Sequence, residues 1–289
     1  MTDQPEAHVA SVSTTSNDHS NDISNGHGSV RPRASTTAAT QRDIHISEQG
    51  QHVHPKGPTR IATWRPIPGQ SQLVKEFTPN TEQAALISQL KEYTESELVL
   101  KPGDELYESY GKWEKEFLEK PDTYSRYMRA ADWKMDNAKK RIKETLEWRR
   151  SYQPDLIKPK EIRVEAEGGK VVVNGFDRVG RPIVWLRPSR ENTKPSPTQI
   201  RHLIFQLERA IDLLPEGVEK LALVVDYKGA TSSNNPSLKT VKEVIYILQN
   251  HYVERLGKGV VVNVPFYLNA FFNVIKPLLD PKTKSKVAF

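Results

Sequence analysis

The sequence predicts an α/β fold that is preceded by a small all-helical subdomain and a disordered tail. Two observations lead to this prediction. Four amphipathic helical patterns follow one another between residues 79 and 153, with no strand pattern between them. From residue 158 onward, short runs rich in β-branched residues alternate with helical patterns, which is typical of parallel strands joined by helices.

Residues 1–60 are predicted to form the disordered tail. They are rich in Ser, Thr, Asn, Gly and His and contain few large apolar side chains. Such a segment cannot bury enough apolar surface to offset the entropy cost of ordering. Most of the histidines lie here at irregular spacing and without a carboxylate cluster, so no metal site is expected. Residues 61–78, which include Pro66 and Pro68, are predicted to be a linker.

The helical subdomain, residues 79–153, is predicted from apolar side chains spaced three and four positions apart. One pattern starts near Thr81, and a second follows Pro102-Gly103. A third begins at Pro121-Asp122, and the fourth ends before Pro154. The Lys and Arg residues of these patterns are expected on the solvent-exposed faces of the helices.

Residues 158–289 are predicted to form a mixed, mainly parallel sheet covered by helices. The runs KVVVNGF (170–176) and PIVWL (182–186) flank a Gly-containing loop, which predicts an antiparallel hairpin. The runs at 221–225 and 259–264 are typical of buried parallel strands. The sequence from Ser196 to Gln199 has the pattern of a capping box, and Asn235-Pro236 is expected to open the next helix.

The apolar run PFYLNAFFNVIKPLL, residues 265–279, is central to the functional prediction. Pro265 in front and Pro277 behind leave room for one helix of about three turns. That is too short for a membrane span, which needs roughly 20 apolar residues. A helix that is apolar on most sides is either an ordinary core helix or a lid over something apolar, such as a lipid. The pattern alone leaves both interpretations open.

Composition limits the classes of partner and chemistry. The net charge of +6 permits an anionic membrane surface or nucleic acid as partner, although a basic, solvated surface explains it equally well. The chain has no cysteine, which excludes disulfides and thiolate metal sites. The N-terminus lacks the apolar segment of a secretory signal, so we expect a soluble cytoplasmic protein.

The folded region contains few candidates for catalysis. We find no dinucleotide-binding glycine motif, P-loop, nucleophile elbow or zinc-protease motif. His202, His251 and Asp226 are the acid–base candidates, and a structural role is expected for each. An α/β enzyme acting at Asp226 or His251 remains an alternative, because Asp226 ends a predicted strand, where α/β enzymes place catalytic groups. We predict no catalytic residue, metal or cofactor.

Three stretches resemble the CRAL-TRIO lipid-binding family, and in particular its phosphatidylinositol-transfer branch. YMRAADWKMDNAKKRIKETLEWRRSY, residues 127–152, resembles the family's helical N-terminal subdomain. VNGFDRVGRPIVWLRP, residues 173–188, resembles its D-x-x-G-R-P-V hairpin. NHYVERLGKGVVVNVPFYLNAFFNVIKPLLDPKTKSKVAF, residues 250–289, is similar to the segment that contains I-N-x-P and L-D-P-x-T-x-x-K. This last match is long and without gaps.

The resemblance implies an α/β bowl that holds one phospholipid, most directly phosphatidylinositol, with its acyl chains in an apolar cavity. It implies that Glu254, Thr283 and Lys286 bind the headgroup, with Lys286 on the phosphate. It also implies a gating helix that covers the acyl cavity, and the residues assigned to this role are Phe266, Leu268, Phe271, Phe272 and Ile275.

The chain departs from the family pattern in two places. Relatives place basic residues after L-R-A, whereas this chain has Ala131 and Asp132, and a carboxylate there is expected to oppose phosphate binding. The chain also ends at Phe289, just inside the strand that follows the lysine in relatives. The lipid-binding domain is therefore expected to be truncated at its C-terminal end.

These observations together predict a non-enzymatic lipid-binding and transfer protein. Its expected partners are phosphatidylinositol, a second lipid that is exchanged for it, a transiently contacted membrane surface and a lipid kinase, but no nucleic acid. It is expected in the cytoplasm, peripherally associated with membranes. Besides the enzyme, the alternative is a membrane or protein interaction module with an incomplete lipid cavity that transfers no lipid.

Overall fold

The computed structural model describes residues 62–234 and 236–288, apart from the side chains of residues 269–271. The predicted tail, residues 1–60, lies outside the described residues. The described chain begins with four α-helices: α1 Thr81–Tyr93, followed by a π-helical turn at Thr94–Leu98, α2 Tyr107–Glu119, α3 Thr123–Ala130 and α4 Met135–Tyr152. We call α1 to α4 the helical subdomain.

The helical subdomain has its own apolar core. Leu90, Tyr127 and Ile142 are fully buried in it, and Val253 from a distant turn joins the same cluster. The buried guanidinium of Arg126 donates a hydrogen bond to the Val253 carbonyl over 2.9 Å. Because that turn belongs to the following α/β part, the helices are fixed against it by both apolar and polar contacts.

The remaining helices and strands form the α/β part. In chain order they are α5 Arg163–Glu167, β1 Val171–Phe176, β2 Pro182–Leu186, α6 Pro197–Asp212, β3 Leu221–Asp226, α7 Leu238–His251, β4 Leu256–Val262, α8 Leu268–Ile275, α9 Pro281–Ser285 and β5 Val287–Ala288. In the described ranges, every helix is too short or too polar to cross a membrane.

The five strands form one sheet in the order β1-β2-β3-β4-β5. β1 is antiparallel to β2, and the other neighbouring pairs are parallel. Buried residues of β2, β3, α6 and α7 share one apolar cluster, which includes Val184, Ile204, Leu221 and Ile247. This architecture confirms the predicted mixed, mainly parallel sheet with a hairpin at one edge.

Two local predictions are wrong. Ser196 makes no side-chain cap on α6: its hydroxyl donates to Glu165, and the side-chain amide of Gln199 donates to Thr193. The next helix, α7, is capped by Ser237, whose hydroxyl accepts from the Thr240 amide over 3.1 Å. The helix therefore begins at Leu238, two positions after the predicted opening at Asn235-Pro236.

The apolar helix is also shorter than predicted. α8 has 8 residues, about two turns, and a 3-10 turn at Lys276–Leu278 follows it. Its start is delayed because Pro265 initiates a separate turn, in which its carbonyl accepts from the Leu268 amide over 3.0 Å.

Residues 62–80, most of which were predicted to be a linker, form no helix or strand, contain a turn at 68–70 and are hydrogen-bonded to the hairpin. The Gln72 amide donates to the Arg178 carbonyl over 2.7 Å, and the Ser71 hydroxyl donates to the Asp177 carbonyl over 2.7 Å. Glu76 accepts from the Arg181 guanidinium over 2.8 Å and from the Glu219 amide over 3.0 Å. The Glu76 side chain is only 5% exposed, so this segment is fastened to the α/β part through a buried charge.

Candidate functional site

A cavity of about 550 Å³ lies in the part of the chain that the structure describes. Its apolar wall comes from the sheet, α6, α7 and the segment before α9, and consists of Val184, Leu207, Leu221, Leu223, Ile245, Leu248, Leu256 and Leu279. Its polar end comes from the turn after α3, from α4, from the turn before β4 and from α9, and includes Asp132, Arg141, Glu254, Lys282, Thr283 and Lys286. The cavity is therefore apolar along the sheet and charged where the helical subdomain meets α9.

The three predicted headgroup residues lie on this one cavity. Lys286 follows α9, and its ammonium is 3.4 Å from the carboxylate of Glu254, which lies 32 positions earlier. Thr283 lies inside α9, where its amide donates to the capping carboxylate of Asp280 over 2.8 Å. Both the Lys286 and the Glu254 side chains are largely buried. This places a positive and a negative group side by side at the polar end.

The backbone at the polar end is strained. Glu254 has a φ of +56°, and Asp132 and Trp133 have φ values of +50° and +62°. Residues other than glycine adopt this left-handed region at a cost of about 1–2 kcal/mol each. The surrounding contacts must hold these residues in place, and such strain is common where side chains have to be aimed at a ligand.

The two departures from the family pattern lie in different surroundings. Ala131 is 3% exposed and belongs to the core of the helical subdomain. Asp132 is exposed and accepts a hydrogen bond from Lys282 over 2.6 Å. That hydrogen bond lowers the pKa of the Asp132 carboxyl below its usual value. Lys282 thus offsets the negative charge that the sequence suggested would oppose a phosphate.

A second, more open depression of about 370 Å³ adjoins the charged end. It shares Asp132, Glu254, Lys282 and Lys286 with the 550 Å³ cavity. The charged end therefore leads toward solvent, whereas the leucines line the inner part.

The sequence did not single out Lys282 or Arg141 as parts of the site. Arg141 lies on α4, one turn after the buried Ala138 and next to the buried Ile142. An arginine beside the buried face of a helix indicates that its side chain lies close to another segment of the protein. Nothing in the sequence alone indicates which part it meets.

The predicted gating helix, α8, packs mainly on the sheet. Leu268 is fully buried against Tyr227 and Val261. The Phe272 ring meets the Tyr227 ring edge-on, with centroids 5.9 Å apart. Phe266, just before the helix, is 87% exposed.

None of the described gating residues, Phe266, Leu268, Phe272 or Ile275, lies on the wall of the 550 Å³ cavity. The side chain of Phe271 lies outside the described residues. The role of this helix as a gate over the acyl chains stays a prediction.

The two alternative catalytic residues have local partners. Asp226 accepts from the Asn263 amide over 2.8 Å and from the Lys228 backbone over 2.9 Å, and these hydrogen bonds lower its pKa. The His251 ring stacks on Trp148 with centroids 4.5 Å apart, and burial lowers its pKa to about 4. Neither residue lies on the wall of the 550 Å³ cavity.

Comparison with known proteins gives a family match over the second half of the chain. Residues 166–289 match the model of the CRAL/TRIO domain. A CRAL-TRIO domain-containing protein of Schizosaccharomyces pombe is 51% identical over 164 residues, which are 57% of this chain and 16% of that protein. The phosphatidylinositol transfer protein PDR17 of Saccharomyces cerevisiae is 35% identical over 189 residues, which are 61% of this chain and 54% of that protein. This chain thus spans about half, or less, of the length of these relatives.

Among solved structures, the crystal structure of Sfh5 superimposes with a TM-score of 0.55 at 20% sequence identity. The superposition covers 73% of this chain and 81% of that one. At this identity, the likeness shows the fold alone.

Proposed function

We propose that the chain binds one phospholipid and transfers it between membranes, and the match of residues 166–289 to the model of the CRAL/TRIO domain supports this proposal. Phosphatidylinositol is the proposed ligand, since PDR17, which shares 35% identity with this chain, is a phosphatidylinositol transfer protein. In this proposal, a second lipid is taken up in exchange. The protein works in the cytoplasm and meets membranes only at their surface.

One observation carries the proposal: the cavity of about 550 Å³ has leucines along the sheet and a charged end formed by Glu254, Thr283 and Lys286. Acyl chains favour the apolar wall, because each methylene removed from water contributes about 0.8 kcal/mol. The headgroup favours the charged end, where Lys286 offers a charge-assisted hydrogen bond to a phosphate and Glu254 offers an acceptor for hydroxyls. A small polar metabolite would make no use of the leucines.

Exchange requires a route for the lipid, and we assign the gate to α8. Exposed apolar side chains lie at both ends of this helix: Phe266, just before it, is 87% exposed, and Val274, near its C-terminal end, is 51% exposed. Exposed aromatic and aliphatic side chains beside a buried anchor such as Leu268 suit transient insertion into a membrane surface. On this assignment, the helix moves at the membrane and the lipid leaves through the gap.

Native mass spectrometry of the purified protein, followed by lipid extraction, tests the proposal. We expect one phospholipid per chain, with phosphatidylinositol enriched over its share in the host membranes. Transfer of labelled phosphatidylinositol between two vesicle populations should then depend on the concentration of protein. A protein that purifies without lipid and transfers none would contradict the proposal and favour an interaction module.

A further inference from the structure

The charges at the polar end of the cavity are paired, with one exception. Lys286 pairs with Glu254 at 3.4 Å and Lys282 pairs with Asp132 at 2.6 Å. Arg255, on the same wall, is buried and pairs with Asp122. The carboxylate of Asp280 caps α9 and accepts from the Thr283 amide over 2.8 Å. Each of these groups therefore already has a partner of opposite charge or a hydrogen-bond donor.

Arg141 is the exception. Its side chain lines the cavity and is half-buried, yet its guanidinium makes no hydrogen bond or ion pair with another described residue. It lies close to the charged end, since the pKa of Asp132 is lowered first by the hydrogen bond from Lys282 and, to a smaller extent, by the charges of Lys134 and Arg141. The polar end thus holds one cation whose donors have no partner among the described residues.

The Arg141 guanidinium lines the cavity and has no acceptor among the described residues, so its donors are available to an anionic group of a ligand. Arginine presents its donors as a planar fork that fits two oxygens of a phosphate. We propose that Arg141 binds the phosphate of the lipid from the side of α4, opposite Lys286 on α9. This inference rests on the proposed function, and it adds a residue that the sequence motif does not contain.

The ion pair between Lys286 and Glu254 gives Lys286 and Arg141 different roles in binding the ligand. Lys286 must be shared between its partner Glu254 and a ligand, whereas Arg141 can give all of its donors to the phosphate. Arg141 therefore contributes to every phospholipid, whatever its headgroup, whereas Lys286 and Glu254 act where a hydroxylated headgroup lies beside the phosphate.

The test compares Arg141→Gln with Lys140→Gln, a matched control on the same helix. Lys140 is exposed and reaches only Glu144, at 3.9 Å. We expect Arg141→Gln to weaken the binding of both phosphatidylinositol and phosphatidylcholine about tenfold, because charge-assisted hydrogen bonds are lost. Lys140→Gln should bind both lipids like the wild type, and Arg141→Lys should recover part of the affinity. The melting temperature of each variant shows that the fold is intact.

Three outcomes would overturn the assignment. Wild-type affinity in Arg141→Gln would show that the guanidinium does not touch the lipid. An equal loss for diacylglycerol, which has no phosphate, would show damage to the cavity instead. Stabilisation of the wild type, but not of Arg141→Gln, by inorganic phosphate alone would mark a site for the free anion. A fourth result, a wild-type protein that binds no phospholipid, would refute the proposed function itself. It differs from the other three because it is seen without any variant.

Discussion

Lys282 donates a hydrogen bond to the carboxylate of Asp132 over 2.6 Å, although the two residues lie 150 positions apart in the chain. The pair joins the turn between α3 and α4 to α9, across the charged end of the cavity. Both side chains are mostly exposed, so the pair is screened by water and salt. It is therefore a weak contact that a lipid phosphate can compete for.

Replacing Asp132 with Asn should strengthen the binding of phosphatidylinositol. The change removes a negative charge near the phosphate and frees Lys282 to contact it. Because the pair is exposed and screened by salt, we expect about a threefold gain at low salt and less at high salt. Lipid binding to Asp136→Asn, an exposed control at the start of α4, should not change. Weaker binding in Asp132→Asn would show that the pair is needed to shape the site.

Replacing Lys286 with Ala should lower the transfer of phosphatidylinositol about tenfold and spare a second lipid with a neutral headgroup. Glu254→Ala should behave likewise if the two residues hold one headgroup, since the Glu254 carboxylate orients the Lys286 ammonium at 3.4 Å. Vesicle transfer of both lipids is the measurement, with the exposed Lys284→Ala as control. An equal loss for the two lipids would count against the headgroup assignment.

Replacing Phe266 with Asp should slow lipid exchange with vesicles several-fold and leave the free energy of unfolding within about 0.5 kcal/mol of the wild type. The ring is 87% exposed, so an aspartate costs little in the folded protein but opposes insertion into a membrane. Phe272→Asp should instead destabilise the protein, because that ring packs edge-on against Tyr227. Val164→Asp on α5, where the side chain is 61% exposed, is the control. Unchanged exchange in Phe266→Asp would refute its membrane role.

Replacing Glu76, whose side chain is 5% exposed, with Ala should destabilise the protein by about 3 kcal/mol, since the partly buried Arg181 and the Glu219 amide lose their acceptor. Deleting residues 1–60 should leave the melting temperature unchanged, because their composition offers no core. Urea unfolding of both variants, with the exposed Glu92→Ala as control, measures the contrast. A fall in melting temperature on deletion of the tail would contradict the second expectation.

Stability should fall as the pH decreases from about 6.5 to about 4. Burial lowers the pKa of both His202 and His251 to about 4, so the folded protein keeps them neutral where the unfolded chain already binds protons. The unfolded state then binds more protons, which favours unfolding in this range and has no effect above it. The double variant His202→Gln/His251→Gln should show a shallower pH dependence in urea unfolding. An unchanged slope would mean that other groups cause the acid sensitivity.

The sequence by itself determined the order and type of the longer elements, α1 to α4, β1 to β4 and α6 to α8, but not the short α5, α9 and β5. The repeat of apolar residues every two or every three to four positions is a local property, so it indicates strands and helices without knowledge of their neighbours. The strand and helix order then leaves few topologies, and the sheet from β1 to β4 follows from it. The assignment of Glu254, Thr283 and Lys286 to one headgroup site came from the resemblance of the final segment to the family, and the structure places all three on one cavity.

Only the tertiary structure decided which charged groups meet. Lys282 finds Asp132 and Arg141 faces the cavity because the helical subdomain packs against the turn that contains Val253. Ser196, which the sequence predicted as a cap, instead donates its hydroxyl to Glu165, 31 positions earlier in the chain. Ion pairs and side-chain hydrogen bonds depend on distances of a few ångströms between elements that are far apart in the chain. Local periodicity contains no information about those distances, whereas packing of the apolar core sets all of them at once.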